Sequence, residues 1–400
     1  MNRELLQSRS GRVVLGAVAA LVIAVIAGMV ALWPSGDVTV ASAVAGSAER
    51  AEVLEVRRES CALTQSDVPC QVLTIRVLSG IDDGRTVPLT LPGVDAAPEV
   101  EAGDRIRVFP NSPDVPSADP EAGGIEAYAF SDFERGGSVG ILALVFAGLV
   151  IALGRLKGML SLIGLGLSLL VVLNFIVPAI LEGSPPLLVA IVGGMAVILA
   201  TLGLTHGIAP TSLAAALGAA GALLVIALLA VFMVESAHLT GFSSEESTLL
   251  LSGQETARLS LSGLVLAGIV IAALGVLDDV CVSQASTVVA LRRANPVQSF
   301  ATLFSEAMRV GRDHLSATVN TLVFAYVGAA LPILLIFETQ RTTLGQAVER
   351  ESVAEELTGM LVGSIGLILA VPVTTALAVM LTRVLPSEAI ASDEGHHHHH

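Results

Sequence analysis

An apolar run of about 20 residues is the length of helix that crosses the hydrocarbon core of a bilayer, and this chain repeats such runs from end to end. The first is Val13 to Trp33. The others are Ser138 to Leu153, Met159 to Leu181, Pro186 to Thr205, Ile208 to Val234, the run beginning at Leu261, Ala317 to Phe337, and Glu355 to Leu381. Backbone groups in hydrocarbon must satisfy one another, so runs of this kind fold as helices. The expectation is a polytopic α-helical membrane protein of about eight transmembrane helices. Hydrophobic residues make up 53 % of the chain and charged ones 14 %, a balance that excludes a water-soluble globule. The formal net charge of −15 comes mostly from segments outside the runs, and Lys157 is the lone lysine, so nothing forms a basic face for nucleic acid.

Taken in order, residues 1–35 read as a transmembrane anchor, 36–135 as an extracytoplasmic all-β domain, 136–385 as a seven-helix membrane domain, and 386–400 as a tail ending in the tag His396 to His400. Arg3, Arg9 and Arg12 hold the start of the anchor in the cytoplasm. Ala41-Ser42-Ala43 has the small-x-small pattern of a signal-peptide cleavage site, but the run before it is about twice the usual signal core, which favours an uncleaved anchor. Short alternating segments then predict strands over Ala51 to Val56, Cys70 to Leu78, Arg85 to Leu91 and Asp104 to Phe109, with turns at Ser79-Gly80, Asp83-Gly84, Pro92-Gly93 and Gly103-Asp104. About five strands in such a length suggest a small barrel or sandwich. Cys61 and Cys70 close a short loop and, on the oxidising side of the membrane, are expected to form a disulfide, with Cys281 left as a thiol. Arg155, Lys157, Arg292, Arg293, Arg309, Arg312 and Arg383 all fall on the side of the N-terminus, whereas the loops 182–185, 235–258 and 338–351 are acidic or mixed. The positive-inside rule then puts both termini in the cytoplasm.

The chemistry-bearing stretch is Gly275 to Pro296, which sets Asp278 and Asp279 inside an apolar segment. A helix from Leu259 to Leu291 is about 50 Å long, more than a bilayer core needs, so the two acids lie either within the membrane or at its edge. At 3.6 residues per turn Gly275, Asp279, Ser283 and Ser286 share one face, with Gln284 and Thr287 on a neighbouring strip. After the break at Asn295-Pro296, Arg309, Asp313, Ser316 and Asn320 are co-facial, with Arg312 and Thr321 beside them. Two facing stripes would satisfy one another, with Arg309 or Arg312 paired to Asp278 or Asp279. They make either a path for a proton, cation or solute or a polar zipper that only fixes packing. In the first case Asp279 is the expected coupling group and Asp278 the lesser one, since it points about 100° away from the serine face. Gly203 with Gly207 and Gly359 with Gly363 have the spacing of close helix packing or of a seam between copies. Pro178 and Pro210 read as helix-end prolines, Pro332 and Pro372 as kinks.

Three segments together, HLTGFSSEESTLLL (His238 to Leu251), GLVLAGIVIAALGVLDDVCVSQAST (Gly263 to Thr287) and MRVGRDHLSATVNTLVFAYVG (Met308 to Gly328), resemble the YibE/F family of bacterial membrane proteins. The resemblance implies an anchor helix, a small outer β domain, a multi-helix block and a place in the bacterial cytoplasmic membrane. Asp279 matches the family's usual single Asp, and Asp278 is a departure. What it implies functionally is a transporter with no stated substrate. The expected function is a secondary transporter or ion- or proton-coupled permease. Its partners are the lipid bilayer, a proton or cation and a small solute, with a homo-oligomer admissible. The alternative is a non-transporting scaffold or regulator whose β domain binds an envelope partner. No enzyme, cofactor or metal is expected: His206, His238 and His314 lack any motif spacing.

Overall fold

A computed structural model describes residues 9–36, 48–59, 70–80, 82–91, 98–110, 128–207, 209–243 and 259–384. They fall into two compact units, Thr39–Leu149 and the combination of Met1–Val38 with Val150–His400. Cys61 lies outside the described residues, as does the turn at Pro92-Gly93, so the expected bridge does too. Cys70 opens a strand and is buried.

The smaller unit holds one antiparallel sheet of β1 (Glu49–Glu59), β2 (Cys70–Val77), β3 (Thr86–Leu91), β4 (Arg105–Pro110) and β5 (Tyr128–Phe133), in the order β3-β2-β1-β4-β5. Period-two alternation sends Ala51, Val53, Leu73, Ile75, Val77, Leu89, Ile106 and Val108 to one face, where they form the core with Tyr128. The outer strands β3 and β5 approach one another, so the expected barrel or sandwich is a half-barrel from a single sheet. The three described turns each carry a glycine at positive φ: Gly80, Gly84 and Gly103. At Gly80 the requirement is double, because a Cβ there would lie 1.9 Å from Glu49 Oε1.

The larger unit is a helical bundle. It holds α1 (Arg9–Ala31), most of α2 (Gly136–Val171), α3 (Val177–Leu181), α4 (Pro186–Thr205), α5 (Pro210–Ser236), α6 (Leu261–Ala294), α7 (Phe300–Ala329), α8 (Leu331–Thr339), α9 (Leu344–Val348) and α10 (Glu351–Val384). Proline opens α4 and α5, where its missing N–H is not needed, and Ser260 and Ser299 cap α6 and α7 by accepting from Gly263 N and Thr302 N. Pro178 follows a π-turn at Val172–Ile176, which makes room for a ring that would otherwise press on the carbonyl one turn back. Pro332 starts α8 at a 58° bend after α7, and Pro372 lies within α10.

Helices α5, α6 and α10 pack on one another at the centre, with α4 against α6, α7 against α6 and α10, and α1 against α4 and α5. Two glycines leave room for a side chain of the facing helix: a Cβ on Gly218 would lie 2.1 Å from Thr374 Oγ1, and one on Gly194 2.4 Å from Leu274 Cδ1. The glycines expected from spacing are not the tight ones, since Gly203 has open space around it and Gly359 and Gly363 make ordinary contacts. Glu182 ties the end of α1 in place by accepting from Ser35 N (3.0 Å) and Gly36 N (2.8 Å), while Trp33 stacks on Phe175 at 5.8 Å.

Six stretches among the described residues are long and apolar enough to cross a membrane, or seven if α7 and α8 form one bent span. Eight were expected, and the difference lies in α2. Within that helix Arg155 has φ 50 and ψ −130, and a Cβ on Gly158 would lie 2.2 Å from Val150 O. In a straight helix these two residues stand about 12 Å apart. The chain therefore bends back on itself at Arg155, and one apolar stretch holds the two runs read from the sequence.

Candidate functional site

The site is organised by α6. Apart from Ser262 at its start this helix is apolar on every side down to Leu277, so the charged side chains after that point are conspicuous. Asp278 is half-buried against α4, where Thr201 Oγ1 donates to Asp278 Oδ2 at 3.1 Å. Its other oxygen, Oδ1, is buried and has no hydrogen-bond partner among the described residues. Asp279 and Gly275 lie on the exposed side of the helix. The order of the two acids is thus the reverse of the expected one: Asp278 meets a neighbouring helix, and Asp279 faces outward.

The contact with Thr201 also fixes the level of the acids. The 20 residues of α4 make about 30 Å, the thickness of a hydrocarbon core, and Thr201 is about 6 Å from its end at Thr205. Asp278 is therefore about one turn inside the end of a bilayer-length helix. Beyond the end of α4 helix α6 continues for some 18 Å to Ala294, which is why its length exceeds a span.

Going down α6, Cys281 is buried and accepts from Thr374 Oγ1 at 3.4 Å. Gln284 is also buried. Its Nε2 donates to Ala307 O of α7 (3.0 Å) and to Thr375 Oγ1 of α10 (2.7 Å), and Thr375 in turn donates to Val371 O. Gly311 sits over this amide, since a Cβ there would lie 2.7 Å from Gln284 Oε1. This part of the polar stripe is a buried clamp joining three helices. Ser283 and Thr287 return their hydroxyls to Val280 O and Ser283 O of their own helix, and Ser286 is half-buried.

Because α7 runs back along α6 with Ala307 opposite Gln284, counting in both directions brings Arg312 and Asp313 level with Asp279 and Asp278. They share a depth without touching. Arg309, Arg312 and Asp313 are exposed, Arg312 Nε donates to Met308 O, and among the described residues no ion pair joins Arg309 or Arg312 to either acid. The expected pairing is not formed because α7 turns its arginines away from α6 and presents Gly311 and Leu315 instead. Asn320 and Thr321 are exposed as well, and Thr321 donates to Ala317 O.

The sequence model of the YibE/F-like protein family matches residues 142–384. The chain belongs to the YibE/F-like family. No curated protein sequence and no solved structure matches it. The family match begins inside α2 and ends with α10, so in this YibE/F-like chain the likeness is carried by the helices and stops short of the sheet. Every contact of Asp278, Cys281 and Gln284 described above lies within it.

Three groups in the YibE/F-like bundle were not singled out from the sequence. Thr201 was one hydroxyl among apolar residues, and Thr374-Thr375 followed a proline read only as a kink. The third is a clasp at the start of α10. Glu351 accepts from Thr240 N, Thr240 Oγ1 and Gly241 N, and Glu355 accepts from Ser243 Oγ at 2.7 Å. Its signal was present in the segment His238 to Leu251, which carried the family likeness without an assigned partner.

Proposed function

We propose that this protein is a secondary transporter or ion-coupled permease of the bacterial cytoplasmic membrane, with Asp278 as the group that takes up the coupling proton or cation. The observation that carries this reading is the carboxylate itself: one oxygen is held by Thr201, and the other is buried with no donor among the described residues. A buried acceptor left unmade costs about 1 to 3 kcal/mol, more if charged, and a carboxylate inside a span is retained chiefly for function. A proton on Oδ1 removes the charge from that cost, and a small cation there supplies the missing partner. Asp279, one residue on and exposed at the same level, gives the ion its approach, and Arg312 and Asp313 share that depth. In this reading the helices make eight crossings, counting the two arms of α2 separately and α7 with α8 as one, with the sheet outside and both termini inside. The protein performs no covalent chemistry.

The test is proton movement into pyranine-loaded proteoliposomes under imposed sodium or potassium gradients, with Asp278→Asn and Asp279→Asn alongside. The expected result is movement above that of protein-free liposomes, abolished by Asp278→Asn and reduced by Asp279→Asn. Movement unchanged in Asp278→Asn would remove that residue from the mechanism. None in the unaltered protein would favour the scaffold reading, in which the sheet binds an envelope partner and the helices anchor it.

A further inference from the structure

Thr201 and Thr205 stand one turn apart near the end of α4, and His206 follows as its C-cap. Their hydroxyls form a ladder. Thr201 Oγ1 lies 3.1 Å from Asp278 Oδ2 and 3.0 Å from both Val197 O and Ile198 O, so its one hydrogen has three acceptors. Thr205 Oγ1 lies 2.7 Å from Thr201 O and 2.7 Å from His206 Nδ1, so it too has a choice. When it donates to Thr201 O, the imidazole Nδ1–H donates to it; when it turns to Nδ1, the imidazole accepts. The imidazole is exposed at the helix end, whereas Thr201 and Thr205 are half-buried.

Given Asp278 as the coupling group, the reading on which this step rests, we propose that the ion it takes up is a proton, and that the proton passes between Asp278 and the cytoplasmic end of α4 through Thr201, Thr205 and His206. The donor set favours a proton over a metal cation. Among the described residues one hydroxyl is bonded to the carboxylate, whereas a hard cation takes about six oxygens or more, in transporters often from unwound backbone. Helix α6 runs unbroken through Asp278, so its carbonyls there are already engaged. A proton needs only a hydroxyl that turns. With Asp278 ionised, Thr201 donates to Oδ2; with that oxygen protonated, the carboxyl donates to Thr201 Oγ1, whose own hydrogen returns to Val197 O or Ile198 O. A proton on Oδ2 also takes the charge off the buried Oδ1. Between the two threonine hydroxyls the step is one helical turn, about 5.4 Å, which a single water spans with two bonds of about 2.8 Å. His206 Nδ1 gives its proton to Thr205 Oγ1 as that hydroxyl passes its own to the water, the water passes one to Thr201 Oγ1, and Thr201 gives its own to Oδ2. The imidazole takes its replacement from solvent at Nε2. Other ionisable groups near the depth of Asp278 are Asp279 and Cys281 on α6 and Arg312 and Asp313 on α7; the described parts of α5 and α10 bring none to it. Counted from Gly164 against Thr201 and Gly28 against Val192, Lys157 of α2 and Arg12 of α1 lie within about one turn of the level of His206.

The test follows the Asp278 carboxyl itself and needs no transport. The full chain carrying Asp279→Asn, in which the ladder is the remaining route, is placed in lipid nanodiscs and its infrared spectrum is followed after a downward pH jump. A carboxyl C=O band is expected that disappears when Asp278→Asn is added, moves in frequency with Thr201→Val, returns with Thr201→Ser, and is unchanged when sodium replaces potassium. A band removed by either cation would overturn the choice of a proton, and no such band at any pH would overturn protonation of Asp278. His206→Ala should slow the rise of the band about tenfold or more. Imidazole in the buffer should restore the rate in that variant but not in Thr205→Val. A rise as fast in His206→Ala as in its parent would overturn the route. Absence of flux in proteoliposomes with this band intact would instead end the transporter reading and leave the proton site standing.

Discussion

Tyr128 donates its hydroxyl towards Glu49 Oε2 (3.1 Å) and Asp82 Oδ2 (3.0 Å), and burial together with these two carboxylates holds its pKa above the ordinary tyrosine range. The folded sheet thus favours the protonated phenol. Its contribution to stability is complete below about pH 10, the pKa of an unfolded tyrosine, and is lost as pH rises from there towards the raised value. Tyr128 and Tyr326 are the two tyrosines of the chain. Phenolate absorbance in Tyr326→Phe should therefore show a single titration displaced above pH 10, and a midpoint at or below that value would contradict the contact. At Gln284 the expectation concerns coupling. Gln284→Ala removes the two bonds that the amide donates to Ala307 O and Thr375 Oγ1, and Gly311→Ala drives a methyl into the amide, each costing about 1 to 3 kcal/mol. The double variant should cost less than their sum, because removing the amide makes room for the methyl, as a double-mutant cycle on thermal unfolding would reveal. The stripe that carries Gln284 was legible from helical spacing, but its partner Thr375 is 91 positions away and left no local mark. The same limit explains Asp278 and Asp279. Spacing says which residues share a face, but α6 is apolar all round above them, so nothing in the sequence says which face turns inward. The cysteines remain a matter for chemistry: after blocking of free thiols, intact mass should find one reactive cysteine, Cys281, and three would rule the Cys61–Cys70 bridge out.

Helix ends show where local sequence and local structure disagree. Leu239 N returns to Val234 O and Thr342 N to Phe337 O, closing α5 and α8 with His238 and Arg341 at φ 52, a conformation usually given to glycine. Gly183 does the same work after α3 without strain, with Ser184 N on Ala179 O. His238→Gly should raise stability by up to about 1 kcal/mol, read as a shift in the unfolding midpoint, and a loss would mean that the imidazole has a role of its own. The strands were legible because alternation and turn glycines agree, and four were placed within a few residues of where they lie. The fifth, Tyr128–Phe133, was not placed, since YAFSDF is short and its alternation stops at Ser131-Asp132, opposite the register shift in β4. Apolar length located the spans, but it cannot report that α2 folds back at Arg155, which depends on one residue's backbone.

At the scale of the whole chain, the arrangement of charges across the spans predicts that the sheet and the C-terminus lie on opposite sides. Single cysteines at Ser117 and Ser387, introduced after removal of the native ones, should react with an impermeant reagent in intact cells at Ser117 and not at Ser387. The opposite pattern would invert the topology. The carboxylate that secures the end of α1 has a consequence for how such a chain is made. Glu182 is 147 positions beyond Ser35, so at about 5 to 20 residues per second the ribosome supplies it about 7 to 30 s after the residue it will hold. Helix α1 must therefore wait for this tie until the whole sheet and both arms of α2 have followed it. A helix made before the sheet is thus fastened after it, and the strands have that interval in which to pair.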